Sequence, residues 1–497
     1  MPTPDEFKGE ILVASRIVDY LSSGLYESPA ACLKELVNNS FDADATRVDL
    51  FIKPDADRII IEDNGCGIDK ADFIRHFSKI SESYKRKDSD ITFKGRPKIG
   101  KIGIGFIAAN EICDVMEIIS SKRGSRELIE VTIRFDLMRQ DPSERRRNGD
   151  DLAKADYFGK VSKTDSESHF TQVFLKQIRG EAKSILSGAR RNGFTSGKNS
   201  LYGLRPESIE KILRGKDLRT WSEFNAYSRN ALEVALNVPV RYHSNWLPPL
   251  LRSRVTDIER DVAKLDFTVF VDGSEIRKPI VFNPDEKSLI DRFEFQGKHV
   301  AAKGYFYAQH GSIRPQELQG LLIRIRNSAM GKHDPSFLGF SSRLGPLFQS
   351  WISGEIMADD RLEEAMNIDR QTLRIAHPAY EELQMAVHEH LADLIKRVRS
   401  TIYGAASKTR KKVQALKAEE SILTFAKDEI ARIAPDAAKK MTKAWSAATT
   451  DEIGQKRLLR KFTVGELYEI VLEVAEEVLT SSQLSKFINR LTEKLRK

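Results

Sequence analysis

From Ser28 to Asp42 the chain reads as one unbroken helix that carries carboxylates and an amide on a single face. Ser28 suits the N-cap, and Pro29 suits the first helical position, where its missing N–H costs nothing. No further Gly or Pro interrupts the run before Asp42. Glu35 and Asn39 are four apart and Asp42 lies three further on, so the three polar groups share one face. Leu33, Leu36, Val37 and Phe41 fall largely on the other side, where they would bury against a sheet. A polar face of this kind is either a solvated surface or a site, and the helix alone does not choose.

Two glycine motifs downstream make the choice. Arg58-Ile59-Ile60-Ile61-Glu62-Asp63 reads as a buried strand and runs into Asn64-Gly65-Cys66-Gly67-Ile68. Ile99-Gly100-Lys101-Ile102-Gly103-Ile104-Gly105-Phe106 then precedes an apolar helix expected from Ile107. Glycines at this spacing let backbone N–H groups approach phosphates, and a helix N-terminus favours their charge. In this order, the patterns Glu-x-x-x-Asn-x-x-Asp-Ala, Asp-x-Gly-x-Gly and Gly-x-Gly-x-Gly-Phe resemble the GHKL superfamily of ATPases. That group takes in gyrase, the ninety-kilodalton heat-shock chaperones, histidine kinases and MutL.

The resemblance implies an α/β fold, the α+β sandwich of the GHKL (Bergerat) ATP-binding domain, with ATP and Mg²⁺ as cofactors. It implies that Glu35 orients and deprotonates the attacking water and that Asn39 offers Mg²⁺ a neutral oxygen, a hard ligand of the kind that ion prefers. Asp63 would accept from the adenine amino group, with Gly65 and Gly67 letting the base lie close to the backbone. Gly100, Lys101, Gly103, Gly105 and Phe106 would form the phosphate loop, and Asp42 would brace the pocket. Thr171, in the strand Phe170–Leu175, stands where the family keeps a threonine facing the adenine. Here Phe170 replaces the glycine that usually precedes it.

Between the glycine motifs, residues 70–98 are rich in Lys, Ser and Asp, and their position implies a lid from Ser81 to Lys98. Farther on, Trp351-Ile352-Ser353-Gly354-Glu355-Ile356 followed by Ala365-Met366-Asn367-Ile368-Asp369-Arg370-Gln371 resembles the middle domain of the heat-shock chaperones. There an Asn-x-x-Arg-Glu loop delivers an arginine to the ATP, and the resemblance implies that Arg370 is the second catalytic residue; here Gln371 replaces the usual Glu. Lys34 to Val37 and Ala43 to Arg47, with Asp63 to Ile68, look more like MutL and the MORC proteins.

Composition and pattern shifts divide the chain into a GHKL domain (1–180), a basic connector without an assigned role (181–255), a transducer-like α/β middle domain (256–395) opening at Phe267-Thr268-Val269-Phe270-Val271, and a helical C-terminal region (396–497). Near-helical spacing from Ile11 to Leu21 predicts a first helix. Arg47 to Ile52 and Ile59 to Ile61 should form a hairpin, and so should Val115–Ser120 with Leu128–Ile133. In the C-terminal region Leu467, Ile470, Val471, Val474 and Val478 recur at helical spacing. A basic run, Lys408 to Lys412, is expected between two helices. Clamps of this superfamily need a lasting contact between two copies, so these helices are assigned to a homodimer.

Several classes are excluded or disfavoured. No Walker Gly-Lys-Ser/Thr loop occurs, so P-loop chemistry is not the source of ATPase activity. The nine histidines begin at His76, after Glu35, which argues against a histidine kinase. Cys32, Cys66 and Cys113 suit neither disulfides nor zinc and point to a reduced, cytoplasmic protein. There is no apolar run of membrane-spanning length and no signal-peptide pattern at the first residues. A net charge of +8 over 497 residues permits contact with nucleic acid without requiring it. The expected activity is an ATP-gated dimeric clamp on a protein client, with a MutL- or MORC-like clamp on double-stranded DNA as the alternative. Arg145 to Arg147, Arg190-Arg191 and Lys408 to Lys412 would then meet the duplex.

Overall fold

The computed structural model describes residues 28–52, 57–77, 90–100, 105–139, 156–187, 199–341, 349–367, 370–445 and 452–496. The expected first helix, much of the lid (Ser81 to Ser89), Lys101, Gly103, Arg145 to Arg147 and Arg190-Arg191 lie outside these. The described residues divide into two compact units, with the boundary between Val398 and Arg399.

Helix α1, Pro29–Asp42, begins where the side chain of Ser28 accepts from the Ala31 N–H. Leu33, Leu36, Val37 and Phe41 are fully or almost fully buried, the apolar face expected from their spacing. They pack on an eight-stranded sheet of order β5-β4-β3-β6-β2-β1-β7-β8. The hairpins β1 (Arg47–Phe51) with β2 (Arg58–Asp63) and β3 (Cys113–Ser121) with β4 (Glu127–Arg134) pair antiparallel as predicted. β6 (Phe170–Ile178) lies between β2 and β3, and β5 (Tyr157–Lys163) lines the outer edge.

Two expectations change here. The strand at Thr268–Val271, expected to open a second domain, is β7 of this first sheet, and it pairs parallel with β1 from Arg47↔Thr268 to Leu50↔Val271. β8 (Ser274–Ile276) follows it antiparallel. A parallel neighbour needs a long crossover, and the stretch from 180 supplies it: α2 (Gly180–Ser187), α3 (Pro206–Leu213), α4 (Ala226–Asn237) and α5 (Thr256–Ala263). α4 packs against α1, so the stretch left without a role covers the helix that carries Glu35. In addition, the apolar helix expected from Ile107 is a single 3-10 segment, Ile107–Glu111. Cys113 already pairs with Ile178 in the sheet, which leaves the chain no room for further turns.

The second sheet has the order β12-β11-β13-β10-β9, with β9 Leu289–Gln296, β10 Ala301–Ala308, β11 Gly320–Ile325, β12 Ser328–Ala329 and β13 Ile352–Ala358. Its interior holds a charged cluster. The Arg324 guanidinium donates to Glu355 Oε1, Lys278 Nζ lies 4.0 Å from the same oxygen, and the hydroxyls of Tyr242 and Tyr305 donate to Glu355 Oε2. Arg324, Lys278 and Glu355 are all fully buried. Burial works against the Glu355 charge, but the adjacent Arg324 and Lys278 outweigh it and hold its carboxyl down at about 2. Burial, reinforced by Arg324, brings Lys278 down to about 7.

Helix α6, Pro378–Phe425, passes from the first unit into the second. The basic run lies inside it, not between helices, since Lys and Arg are good helix formers and only Gly404 interrupts. The second unit continues with α7 (Pro435–Trp445), α8 (Glu452–Leu458), α9 (Val464–Val478) and α10 (Ser481–Arg496). Thr463 and Glu466 form a capping box on α9, and Tyr468 meets Thr492 of α10 at 3.0 Å. Val464, Leu467, Ile470, Val474 and Val478 stand exposed on α9. Among the described residues no helix is long and apolar enough to cross a membrane.

Candidate active site

Helix α1 turns Glu35 into a buried position, 5% exposed. One carboxylate oxygen lies 3.3 Å from Lys34 Nζ, the other 3.6 Å from Arg370 Nη1. Neighbouring residues on a helix point in different directions, so the Lys34 contact depends on its long stem folding back. Asn39 stands one turn further along. A Cβ on Gly105 would lie 3.4 Å from Asn39 Nδ2 and 3.7 Å from Glu35 Oε2, so a side chain there would fill the space in front of both groups.

The last polar group of the helix face holds the start of the second glycine motif. The Asp42 carboxylate accepts from the N–H groups of Ile99 at 2.7 Å and Gly100 at 2.9 Å. From the opposite side, Arg370 Nη2 donates to the Ile99 carbonyl at 2.6 Å. Arg370 is presented by a tight loop closed by Asn367, whose backbone N–H donates to the Thr372 carbonyl and whose side-chain amide donates to the Thr372 hydroxyl. Its own backbone sits in the left-handed region at φ +54°, a conformation non-glycine residues adopt only under constraint. Phe106 is buried in the core of the first sheet.

Asp63 closes β2. It accepts from the Ser40 hydroxyl at 2.7 Å and from the Gly65 N–H at 2.9 Å. Burial pushes its carboxyl up to about 6, against the lowering effect of these two bonds. Thr171 lies directly across from Asp63 in the β2–β6 register, and its hydroxyl meets that of Ser120 at 3.1 Å. Ser120 donates to the Phe170 carbonyl and accepts from the Ile68 N–H. Phe170 thus serves this contact through its backbone carbonyl. Gly67 is different: at φ +71°, a Cβ would lie 1.8 Å from the Ser121 carbonyl oxygen, so only glycine fits.

The structure therefore brings together Glu35, Asn39, Asp42, Gly100, Gly105 and Arg370 at one end, and Asp63, Gly65, Gly67 and Thr171 at the other. Sequence reasoning assigns no site role to Lys34, Ser40 or Ser120. Ser40 carries no local signal, because its role depends on where β2 ends. Ser120 could have been found by pairing its strand with that of Thr171.

The residues that match a described family include the site residues named above except Thr171 and Arg370. Residues 26–167 match the family described as histidine kinase-, DNA gyrase B-, and HSP90-like ATPase. The N-terminal domain is a GHKL domain. Similar proteins include the chaperone protein HtpG of Bacillus subtilis, 29% identical over 143 residues, which are 24% of this chain and 22% of the relative. The DNA mismatch repair protein MutL of Shewanella halifaxensis is 40% identical over 78 residues, 15% of this chain and 12% of the relative. A Herpetosiphon aurantiacus protein named for type II restriction enzyme HgiDII is 37% identical over 115 residues, 23% of this chain and 18% of the relative. The chain thus spans about a fifth or less of the length of these three relatives.

Proposed function

We propose that this chain is a magnesium-dependent ATPase that works as an ATP-gated dimeric clamp, similar to the ninety-kilodalton heat-shock chaperones, on a protein client. The observation that carries the reading is the contact of Arg370 with both Glu35 and the Ile99 carbonyl. Hydrolysis of a phosphoanhydride needs an oriented water and positive charge beside the transferring phosphoryl group. Glu35 would orient and deprotonate the water, and Arg370 would supply charge only when the second sheet is docked.

Asn39 would hold magnesium through its side-chain oxygen, and the ion would neutralise phosphate charge. The donor set fits, since magnesium is usually bound by few protein ligands plus phosphates and water. Among the described residues no cluster of three or more His, Cys, Asp or Glu offers an all-protein cage. Asp63 would accept from the adenine amino group, while Gly65 and Gly67 admit the base, and the loop from Gly100 through Lys101 and Gly103 to Gly105 would wrap the phosphates.

The exposed apolar row on α9 supports a lasting dimer contact between two copies, because contiguous exposed apolar surface marks an interaction site. Unpaired Cys32, Cys66 and Cys113 fit the cytoplasm. A clamp on double-stranded DNA is the second reading. It is favoured by the similarity to a DNA mismatch repair protein and by the exposure of Arg410, Lys411 and Lys412.

Glu35→Ala tests the proposal. Phosphate release should fall about 10²–10⁴-fold, the usual contribution of a positioned base, with ATP binding retained. Wild-type turnover in that variant would overturn it.

A further inference from the structure

The hairpin β11–β12 reaches the GHKL domain at two points. Its loop is only Arg326-Asn327, with Ile325 paired to Ser328 across it, and both residues have positive φ, +53° and +66°. That is the geometry of the tightest hairpin turn, normally given to Asn and Gly. An arginine at its first position is therefore held by something other than turn preference. The Arg326 side chain is 3% exposed and has carboxylates on three sides. Its Nε donates to Asp360 at 2.7 Å, and its Nη2 lies 3.6 Å from Glu363 and 3.8 Å from Asp90. Its Nη1 donates to the carbonyl of Lys98. One residue past the loop, the Ser328 hydroxyl accepts from Asn38 of α1 at 3.2 Å.

Arg326 and Arg370 thus hold the consecutive carbonyls of Lys98 and Ile99, while Asp42 holds the consecutive N–H groups of Ile99 and Gly100. Both arginines come from the second sheet and its following loop; the aspartate comes from α1.

We infer that Arg326 is a positioning residue: it fixes the start of the phosphate loop from the second sheet, so that Arg370 and Glu35 meet the nucleotide in register. It acts through Lys98 and touches no reacting atom. This inference rests on the ATPase reading for its kinetic part only; the grip on the loop stands apart from it.

Two arms test it on the full-length chain. In steady-state kinetics, Arg326→Gln should lower kcat at least tenfold while KM for ATP moves less than threefold, and Arg326→Lys should recover part of the rate. In hydrogen exchange without nucleotide, the amides of residues 91–100 should exchange at least tenfold faster in Arg326→Gln, with those of β9 and β10 unchanged. Asp360→Asn removes the charge of the carboxylate that Arg326 Nε donates to while keeping the guanidinium, and should shift both readouts the same way should Arg326→Gln fold poorly. Unchanged exchange in residues 91–100 overturns the inference, and so does a kcat within threefold of wild type. A wild-type protein without ATP turnover would sink the ATPase reading instead and leave the exchange arm to decide on Arg326.

Discussion

The Arg370 guanidinium lies 3.6 Å from the Glu35 carboxylate and also donates to the Ile99 carbonyl, 271 positions earlier in the chain. The carboxylate that would activate water, on α1 against the first sheet, and the cation that would stabilise the transition state, on a loop following the second sheet, therefore come from different parts of one unit. Removing the cation should separate rate from binding. Arg370→Ala should lower kcat by about 10³-fold, the scale of an arginine supplied to a phosphoryl transfer, with little change in ATP affinity. A titration of nucleotide binding beside a turnover assay checks this, and equal losses in both would place Arg370 in a ground-state contact.

Asp63 gives nucleotide binding a pH dependence. Its carboxyl sits at about 6 in the folded protein, above the ordinary carboxylate range, so below pH 6 it carries a proton and loses acceptor strength. ATP affinity should fall by up to tenfold per pH unit as pH drops through 6. Because the folded value is raised, the stabilising effect of the protonated form is complete below about 4 and lost as pH rises through 6. Asp63→Asn should then abolish ATP binding yet raise the melting temperature at pH 7, by relieving a cost on the order of 2–3 kcal/mol. A lower melting temperature would contradict this.

Cys66 offers a label inside the site. It is exposed, while Cys32 and Cys113 are buried, and it lies between Gly65 and Gly67. Burial around the sulfur and the nearby Asp63 charge raise its thiol pKa, so alkylation should be slow at pH 7 and faster near pH 9. Saturating ATP with magnesium should slow it at least tenfold. Equal rates with and without nucleotide would move the adenine elsewhere.

The cluster around Glu355 makes a prediction about stability. Glu355→Gln leaves Arg324 and Lys278 buried without their counter-charge, which should cost about 3–5 kcal/mol. The folded carboxyl is depressed to about 2, so its contribution is full above its ordinary value near 4.5 and disappears as pH falls towards 2. Denaturant melts at pH 7 and pH 3 should show the gap between wild type and Glu355→Gln shrinking. Lys278 has the opposite sense: depressed to about 7, it favours unfolding while charged, and stability should rise with pH from 7 to about 10. Lys278→Met should therefore be neutral or stabilising at pH 6.

What the sequence determined by itself was local. The α1 face, both hairpins and the glycine motifs follow from periodicity, capping and the special freedom of glycine, all set by residues within a turn or a strand of one another. The resemblance of these motifs to the GHKL superfamily, not their periodicity, pointed to that domain and to Glu35, Asn39, Asp42 and Asp63 as its candidate site residues. Tertiary structure decided what depends on distant partners. β7 could not be placed from its own pattern, since a buried parallel strand looks the same in either sheet. Only the open edge of β1 and the helices that cross to it select the first. Ser40 matters because β2 ends beside it, and Arg326 because a two-residue turn brings it to Lys98. A side chain whose role lies in a contact 228 positions away leaves no period or motif in the chain. Its meaning is set by folding, when burial removes water and leaves it among carboxylates and a backbone carbonyl.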